Sequence, residues 1–283
     1  MKIVRHGEPG RERPGVMDES GTVRDLSGVI ADWTPAELAP ATLARVRELD
    51  LRALAPVTHG VRLGVPLRGI GKFIAIGLNY TDHALESGMP APSEPVVFSK
   101  AISCITGPDD PVMLPQASLK SDWEVELGVL IGRTARYVGN EAALGHVAGY
   151  CLVDDVSERA YQLERGGTWD KGKGCDTFGP VGPWILTSDE APDPQRLHLW
   201  LEVNGVRRQD GNTAHMIFPV AELVAYLSRF MTLEPGDLIA TGTPAGVGMG
   251  VKPPQFLRSG DRMRLGCPEL GTQTHAVVAW RPS

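Results

Sequence analysis

The sequence predicts an α+β fold that is mostly β, a mixed β-roll or sandwich with a small N-terminal domain. Short segments that are apolar, or that alternate apolar with polar residues, recur along the chain and end at glycine or proline, as strands do. Helical patterns are few and lie between these segments. The chain has 283 residues, of which 42% are hydrophobic, and can therefore bury a substantial core.

Residues 1–68 are predicted to form the small N-terminal domain. Three short strands are expected, at residues 2–4, 15–17 and 23–25. A helical pattern follows at residues 35–49, with Thr34 as its expected N-cap. None of these segments carries a pattern typical of catalysis.

Residues 69–283 are predicted to form the main domain. Strands are expected at residues 73–77, 149–153, 197–203 and 206–209. Asn204 and Gly205 join the last two as a hairpin, because this pair favours a two-residue turn. Helices are predicted at residues 141–146 and 219–230.

Two glutamates, Glu124 and Glu126, alternate with apolar residues before a wholly apolar stretch. The period is that of a strand, so both carboxylates project from one face. A divalent cation between them would remove their repulsion, and oxygen ligands select a hard ion, Mg²⁺ or Mn²⁺, over zinc. Asp155 ends an apolar segment, where a charge is otherwise hard to accommodate, and is the expected third ligand. The alternative is that the glutamates lie on the solvated face of an antiparallel strand.

Five motifs follow one another between about residues 69 and 280. They are GLNYxDHxxE from Gly77, ExE from Glu124, DDVSxRxxQ from Asp154, KGxDTFxPxGP from Lys173 and TGTPxGVG from Thr241. Each pattern alone is weak, but the ordered set resembles the fumarylacetoacetate hydrolase family. The resemblance favours the metal site over the solvated strand face.

The resemblance implies that Glu124, Glu126 and Asp155 are the metal ligands and that the cofactor is Mg²⁺ or Mn²⁺. Many members have Asn-Asp where this chain has Asp154-Asp155, so the ligand is assigned to Asp155 and the role of Asp154 is left open.

The resemblance also implies three sets of catalytic and binding residues. Lys173 is the expected active-site lysine, and His83 with Glu86 is the expected water-activating pair on a mobile lid. The residues expected to line the substrate pocket, together with Lys173, are Arg159, Gln162 and Thr243.

These residues predict a hydrolase that cleaves the C–C bond of a 2,4-diketo acid, an acylpyruvate, to pyruvate and a carboxylic acid. The first specific substrate expected is a 2,4-diketo-3-deoxy sugar acid, such as 2,4-diketo-3-deoxyrhamnonate or -fuconate. A 2-oxo acid hydratase, isomerase or oxaloacetate decarboxylase stays open, because the family uses one metal site for several reactions. A non-enzymatic, metal-dependent carboxylate-binding module is a further alternative, although His83 and Glu86 are both present.

Composition predicts the partners and the compartment. The net charge of −6 and the pI of about 5.7 argue against nucleic-acid binding, which favours a basic surface. The charged start is followed by no apolar run, and no stretch has the length of a membrane span, so neither a secretory signal nor a membrane partner is expected. The four cysteines lack paired spacing and are expected to be reduced thiols in a cytoplasmic protein. A homodimer is implied by the resemblance alone.

A glycine-rich segment and one cysteine resemble functional sites, but their sequence context does not support that interpretation. The glycines of residues 246–250 lack the spacing of a nucleotide loop, and are expected to let the backbone approach a ligand. Cys175 lies near Lys173, but is expected to be a small buried packing residue.

Overall fold

Strands form most of the regular structure, as predicted. The computed structural model describes residues 1–86, 88, 90–191 and 193–282. In chain order its strands are β1 (Lys2–His6), β2 (Arg13–Met17), β3 (Val23–Asp25), β4 (Leu63–Gly64), β5 (Phe73–Gly77), β6 (Val96–Ser99), β7 (Ile105–Thr106), β8 (Val112–Met113), β9 (Ser121–Asp122), β10 (Val125–Ile131), β11 (Val147–Asp154), β12 (Ser157–Glu158), β13 (Gly179–Thr187), β14 (His198–Val203), β15 (Val206–Asn212), β16 (Leu238–Ala240), β17 (Arg262–Cys267) and β18 (Gly271–Val278).

The helices are short. The α-helices are α1 (Pro40–Arg47), α2 (Thr81–Glu86), α3 (Asn140–Ala143), α4 (Arg159–Leu163), α5 (Asp170–Lys173) and α6 (Val220–Leu227). Turns of 3-10 helix occupy Pro35–Leu38, Leu51–Ala53, Ile102–Cys104, Leu144–His146, Pro194–Arg196 and Thr213–His215. Every helix in the described part of the chain is too short or too polar to span a lipid bilayer.

The strands form one large mixed sheet and two smaller sheets. The large sheet has the order β3-β2-β1-β13-β11-β10-β16-β5-β6, with β4 paired to β1 and β7 paired to β13. A five-stranded sheet has the order β15-β14-β17-β18-β8, and β12 pairs with β9. Most pairs are antiparallel, whereas β16 runs parallel to β5. Because β10 and β11 lie at the centre of the large sheet, all their residues are buried.

The N-terminal strands are continuous with the large sheet. β1 pairs with β2 on one side and with β13 on the other, in the register Ile3↔Ile185. The terminal ammonium of Met1 donates to Thr187 Oγ1 at 2.6 Å. The division between residues 1–68 and 69–283 stays a prediction. The contacts show that the first segment shares a sheet with the second.

The predicted single helix over residues 35–49 is wrong. The segment forms a 3-10 turn and then α1, with extended backbone at Ala39 (φ −57°, ψ 138°) between them. Pro40 causes the break, because its ring disfavours helical backbone at the preceding residue. Thr34 stands at the N-cap position but makes no side-chain cap hydrogen bond. Its hydroxyl bonds to Glu37 instead.

Other predicted elements are observed, β5 with the predicted ends and the others with shifted or divided ends. The strand at residues 73–77 is β5. The hairpin of β14 and β15 turns at Asn204 and Gly205, whose φ angles of 52° and 76° are those of a type I′ turn. α6 is shorter than predicted and has Pro219 at its N-cap. The helix predicted at residues 141–146 divides into α3 and a 3-10 turn.

Candidate active site

The pairing of β10 with β11 brings three carboxylates together. Glu124 directly precedes β10 and Asp155 directly follows β11, so antiparallel pairing makes them neighbours. The backbone N–H of Asp155 donates to the carbonyl of Glu124 at 2.9 Å. Glu126 projects from the same face of β10 as Glu124. One carboxylate oxygen from each of the three residues lies within 4.8 Å of the others.

These carboxylates are buried. The exposed fractions are 5% for Glu124, 1% for Glu126 and 0% for Asp155. The alternative of a solvated strand face is therefore wrong. Three buried acids at this separation repel one another strongly unless cations accompany them.

Two buried lysines supply positive charge. Lys173 Nζ, on α5, donates to Glu124 Oε2 at 2.7 Å and to Asp155 Oδ2 at 2.6 Å. Lys100 Nζ donates to Asp155 Oδ1 at 2.5 Å and to the carbonyl of Lys173 at 2.5 Å. Lys100 was not among the residues predicted from sequence. The one feature of the sequence that could have indicated it is its position directly after the strand β6.

Arg159, at the start of α4, contacts the same carboxylate group. Its Nη2 donates to Glu124 Oε1 at 2.6 Å, and its Nη1 donates to Gln162 Oε1 at 3.0 Å. Its Nε donates to Asp122 Oδ2 at 2.8 Å. Asp122 also accepts from the backbone N–H groups of Gly248 and Met249, and it too was not predicted. Its position two residues before Glu124, in register with the two glutamates, was the only sequence signal for it.

The surroundings shift the pKa values of Glu124 and Glu126 in opposite directions. Burial, and then the charges of Asp155 and Glu124, raise the pKa of Glu126 well above its usual range. Burial also disfavours the charged form of Glu124, but Lys173 and Arg159 outweigh it and hold the pKa of Glu124 below the usual range. Glu126 is thus the carboxylate that lacks sufficient positive charge. An added divalent cation would supply it.

Two buried polar groups beside the three carboxylates have no hydrogen-bond partner in the described part of the chain. They are Asp154 Oδ2 and the hydroxyl of Tyr80. Asp154 Oδ1 accepts from the backbone N–H of Glu124 at 3.1 Å, and burial raises the Asp154 pKa to about 7. Burial, and then Glu126, raise the pKa of Tyr80. Neither group lines the cavity that opens onto this site, so the fit to a hard cation rests on the all-oxygen donor set of Glu124, Glu126 and Asp155.

The predicted His83 and Glu86 lie one turn apart on α2. The distance from His83 Nδ1 to Glu86 Oε2 is 3.4 Å. His83 is only 6% exposed. The start of α2 is fixed by Asn79, whose side chain donates to the carbonyls of Phe218 and Thr241 and accepts from the N–H of Phe218. The mobility of a lid here stays a prediction.

The glycine-rich segment after β16 fixes the other end of this pair. The backbone N–H of Gly246 donates to both oxygens of Glu86, at 3.0 and 3.1 Å. A Cβ on Gly246 would lie 1.9 Å from the carbonyl oxygen of Arg208, and one on Gly248 would lie 2.0 Å from that of Gln255. The close approaches that the structure shows here are between segments of the protein itself. The expectation that these glycines let the backbone approach a ligand stays a prediction.

A cavity of about 260 Å³ opens onto this site. Among the described residues, seven polar ones line it, and all are predicted site residues: His83, Glu124, Glu126, Arg159, Gln162, Lys173 and Thr243. Two other predicted residues lie behind this lining. Asp155 accepts a hydrogen bond from Lys173, and Glu86 faces His83. Thr243 Oγ1 donates to the carbonyl of Val125 at 2.9 Å and accepts from Gln209 at 2.7 Å.

Cys175 is half-buried, not buried as predicted. Its Sγ lies 3.5 Å from the carbonyl oxygen of Lys171. Burial raises the pKa of the Cys175 thiol to about 11, so the thiol is neutral at physiological pH. This environment does not favour a nucleophile.

The chain belongs to the fumarylacetoacetate hydrolase family. The family described as fumarylacetoacetate (FAA) hydrolase C-terminal matches residues 72–278. A Burkholderia cenocepacia protein, whose name proposes a hydrolase without stating a substrate, is 57% identical over 278 residues, which are 98% of this chain and 99% of the relative. The resemblance inferred from the five motifs is therefore confirmed.

Solved structures of the family share the whole fold. The fumarylacetoacetate hydrolase of Exiguobacterium antarcticum matches with a TM-score of 0.87 and 38% identity over 99% of this chain and 100% of that one. The maleylpyruvate hydrolase of a Sphingobium species, in complex with manganese(II) and pyruvate, matches with a TM-score of 0.83 and 31% identity over 99% and 100%. A 2-hydroxyhepta-2,4-diene-1,7-dioate isomerase of Mycobacterium marinum matches with a TM-score of 0.76 and 32% identity over 100% of both chains. The chain is thus an enzyme of a family that contains both hydrolases and isomerases.

Proposed function

We propose that this protein is a divalent-metal-dependent hydrolase that cleaves the C–C bond of a 2,4-diketo acid to give pyruvate and a carboxylic acid. The observation that carries the proposal is the composition of one cavity. Glu124, Glu126, Lys173 and His83 line it, and Asp155 and Glu86 contact this lining from behind through Lys173 and His83. The three carboxylates and Lys173 suit the stabilisation of an enolate, and the His83–Glu86 pair suits the activation of water.

Glu124, Glu126 and Asp155 would hold the cation, Mg²⁺ or Mn²⁺. Support comes from the all-oxygen donor set and from the raised pKa of Glu126, which marks a shortage of positive charge. When bound, the cation acts as a Lewis acid toward the carboxylate and keto oxygens of a 2-oxo acid. The manganese in the Sphingobium maleylpyruvate hydrolase is consistent with this assignment.

Lys173 is assigned to charge stabilisation. Its ammonium is buried and lines the cavity, and an ammonium group has three donors. Two donors are directed at Glu124 and Asp155. The third is available to the keto oxygen at C2, where negative charge builds as the bond between C3 and C4 breaks.

His83 is assigned to water activation. Because Nδ1 faces Glu86, Nε2 is the ring nitrogen left to accept a proton. His83 takes a proton from water, and the hydroxide adds to the C4 carbonyl. The C3–C4 bond then breaks, its electron pair passes to the pyruvate enolate, and the carboxylic acid leaves. The proton held by His83 returns to C3 and completes pyruvate.

Isomerisation is the second candidate reaction, because the Mycobacterium marinum isomerase shares the fold. It needs the enolate-stabilising residues but no hydrolytic water. A hydratase or an oxaloacetate decarboxylase would likewise use the cation site and Lys173. The buried His83–Glu86 pair favours hydrolysis, and it also disfavours a carboxylate-binding module without catalysis.

A substrate panel tests the proposal. Acylpyruvates, a 2,4-diketo-3-deoxy sugar acid, a 2-oxo-dienoate and oxaloacetate are each incubated with the Mg²⁺-loaded protein. Loss of the enol absorbance and formation of pyruvate are followed together. Hydrolysis of a diketo acid with equimolar pyruvate supports the proposal. Turnover of the dienoate or of oxaloacetate alone, with every diketo acid untouched, contradicts it.

A further inference from the structure

The lining of the cavity divides by chemistry. Six of the seven polar residues named above belong to the carboxylate group, to the side chains hydrogen-bonded around it, or to the His83–Glu86 pair. The seventh, Thr243, bonds to the carbonyl of Val125 and to Gln209. The other lining residues in the part of the chain that the structure describes are all apolar: Ile76, Gly77, Leu78, Phe98, Leu163, Trp169 and Met249. We call these seven the apolar wall.

Two aromatic rings organise the apolar wall beside the lysine. The Phe98 ring lies 5.1 Å from Lys173 Nζ, and the ring centroids of Phe98 and Trp169 are 5.2 Å apart in an edge-on arrangement. The Trp169 ring in turn covers Gly77 at the end of β5. A Cβ at Gly77 would lie 2.3 Å from that ring, so the glycine is what lets the indole lie there. The apolar wall therefore begins beside the ammonium that is proposed to contact the keto oxygen.

The charged groups near this wall are already paired. The guanidinium of Arg159 is bonded to Asp122, Glu124 and Gln162. On α5, directly after Trp169, Lys171 Nζ donates to the carbonyl of Arg165. The Arg165 guanidinium stacks on the Tyr161 ring at 4.8 Å. Among the described residues, the cavity lining has no cation outside the catalytic group.

A substrate whose 2-oxo acid end lies at the carboxylate group must direct its acyl end along this wall. A second carboxylate there would lose water without gaining a cation, and each hydroxyl of a sugar acid would lose hydrogen bonds to water. An alkyl or aryl group would instead gain apolar contact with the rings.

We propose that the acyl group of the substrate is apolar, an alkyl or aryl chain, and that Trp169 is the residue that selects it. This inference rests on the proposed function only for the position of the 2-oxo acid end. It favours a simple acylpyruvate over the sugar acid expected from the sequence, and over a dicarboxylate.

Binding of 2-oxo acids tests the inference without requiring turnover. Their tails beyond C3 follow the path of the acyl group. The ligands are 2-oxobutanoate, 2-oxohexanoate, 2-oxooctanoate and 2-oxoadipate, titrated calorimetrically into the Mg²⁺-loaded protein. We expect the dissociation constant to fall by roughly fourfold per added methylene. We expect 2-oxoadipate to bind about tenfold or more weakly than 2-oxohexanoate, since its buried carboxylate lacks a partner.

Trp169→Ala assigns the selectivity to the indole. In this variant the gain per methylene should shrink to less than about twofold, because the wall loses its largest contact surface. The matched control is Trp280→Ala, which removes a 41%-exposed tryptophan outside the cavity lining and should keep the wild-type series. An unchanged series in Trp169→Ala removes that residue from the selection.

The outcomes also separate this inference from the proposed function. Equal or tighter binding of 2-oxoadipate, or a flat alkyl series, overturns the inference even if a diketo acid is hydrolysed. A steep alkyl series in a protein that hydrolyses no diketo acid supports the inference and leaves the proposed reaction contradicted. A protein that hydrolyses the sugar acid faster than an alkyl acylpyruvate overturns the inference alone.

Discussion

The Nζ of Lys173 lies 2.6 Å from Oδ2 of Asp155, and both side chains are fully buried. The same ammonium lies 2.7 Å from Oε2 of Glu124. The proposed charge-stabilising lysine and two of the proposed metal ligands therefore share hydrogen bonds. The positive charges of Lys173 and of a bound cation would act on the same two carboxylates, so the two charges are coupled electrostatically.

The first prediction concerns Lys173→Met. We expect kcat for hydrolysis to fall by about 10²–10³, the usual effect of removing one electrostatic stabiliser of the transition state. Any oxaloacetate decarboxylation should fall with it. The affinity for Mg²⁺ should stay the same or rise, because an ammonium beside the ligands is removed. Steady-state kinetics and calorimetric titration with Mg²⁺ measure the two quantities.

Lys171→Met is the matched control, because Lys171 is exposed on the same helix and donates only to the carbonyl of Arg165. It should retain the wild-type kcat and Mg²⁺ affinity. A Lys173→Met enzyme that turns over at the full rate would remove the lysine from the mechanism.

The second prediction follows from the raised pKa of Glu126. Because burial and the charges of Asp155 and Glu124 raise this pKa, the metal-free protein retains a proton that the cation must displace. The apparent affinity for Mg²⁺ should therefore increase with pH, by up to about tenfold per pH unit while one proton is released. Glu126→Gln should lower the affinity steeply, reduce turnover and flatten this pH dependence. Calorimetric titration across a series of pH values measures the Mg²⁺ affinity and its pH dependence, and steady-state kinetics measure turnover.

The same shift has a consequence for the stability of the metal-free protein. A carboxyl group whose pKa is higher in the folded than in the unfolded chain binds more protons when folded, so stability falls as the pH rises above the unfolded value. Metal-free Glu126→Gln should thus gain melting temperature over wild type at neutral and alkaline pH. Glu141→Gln, an exposed change on α3, serves as control. Wild-type Mg²⁺ affinity in Glu126→Gln would show that the cation site is elsewhere.

The third prediction concerns Gly246→Ala. Gly246 has φ +106°, and a Cβ there would meet the carbonyl of Arg208 at 1.9 Å. We expect a loss of about 3 kcal/mol or more in the free energy of unfolding, from backbone strain and overlap. Gly139→Ala is the control, since its φ is −83° and its Cβ would meet nothing within 4 Å. Denaturant unfolding of both variants measures the difference, and equal stabilities would contradict the close approach.

The sequence was most informative where one strand or one motif carried the signal. β5 and the hairpin at Asn204 were predicted because apolar pattern and turn chemistry are local properties. The carboxylates were predicted because Glu124 and Glu126 share a strand face and Asp155 ends an apolar segment. No local pattern distinguishes His83 from a surface histidine. It was predicted only because it lies in one of the five ordered motifs.

Sequence alone could not identify residues that depend on distant partners. Lys100 and Asp122 look like ordinary polar residues at strand ends, and their charge partners lie 55 and 37 positions away along the chain. Trp169 lies outside the predicted elements, and its ring is placed by Gly77 on a distant strand. The helix predicted over residues 35–49 failed for a local reason. The prediction followed the apolar period, whereas Pro40 breaks the helix at the residue before it.

The last prediction separates water activation from enolate stabilisation. In His83→Ala we expect hydrolysis to fall by roughly 10²–10⁴, the contribution typical of a general base. Affinity for Mg²⁺ and for oxalate, a chelating inhibitor, should remain, because the carboxylate group and Lys173 do not hydrogen-bond to His83. Hydrolysis kinetics of the variant are measured beside calorimetric titrations with Mg²⁺ and then with oxalate.

His215→Ala is the matched control, because His215 is exposed and lies outside the cavity lining. It should keep the wild-type rate and both affinities. Glu86→Gln should resemble His83→Ala in direction, with a smaller loss, because the amide still faces His83 Nδ1 but carries no charge to strengthen the base. If His83→Ala lost Mg²⁺ or oxalate binding in proportion to its activity, His83 would be a ligand or a structural residue. The assignment of water activation to this histidine would then be wrong.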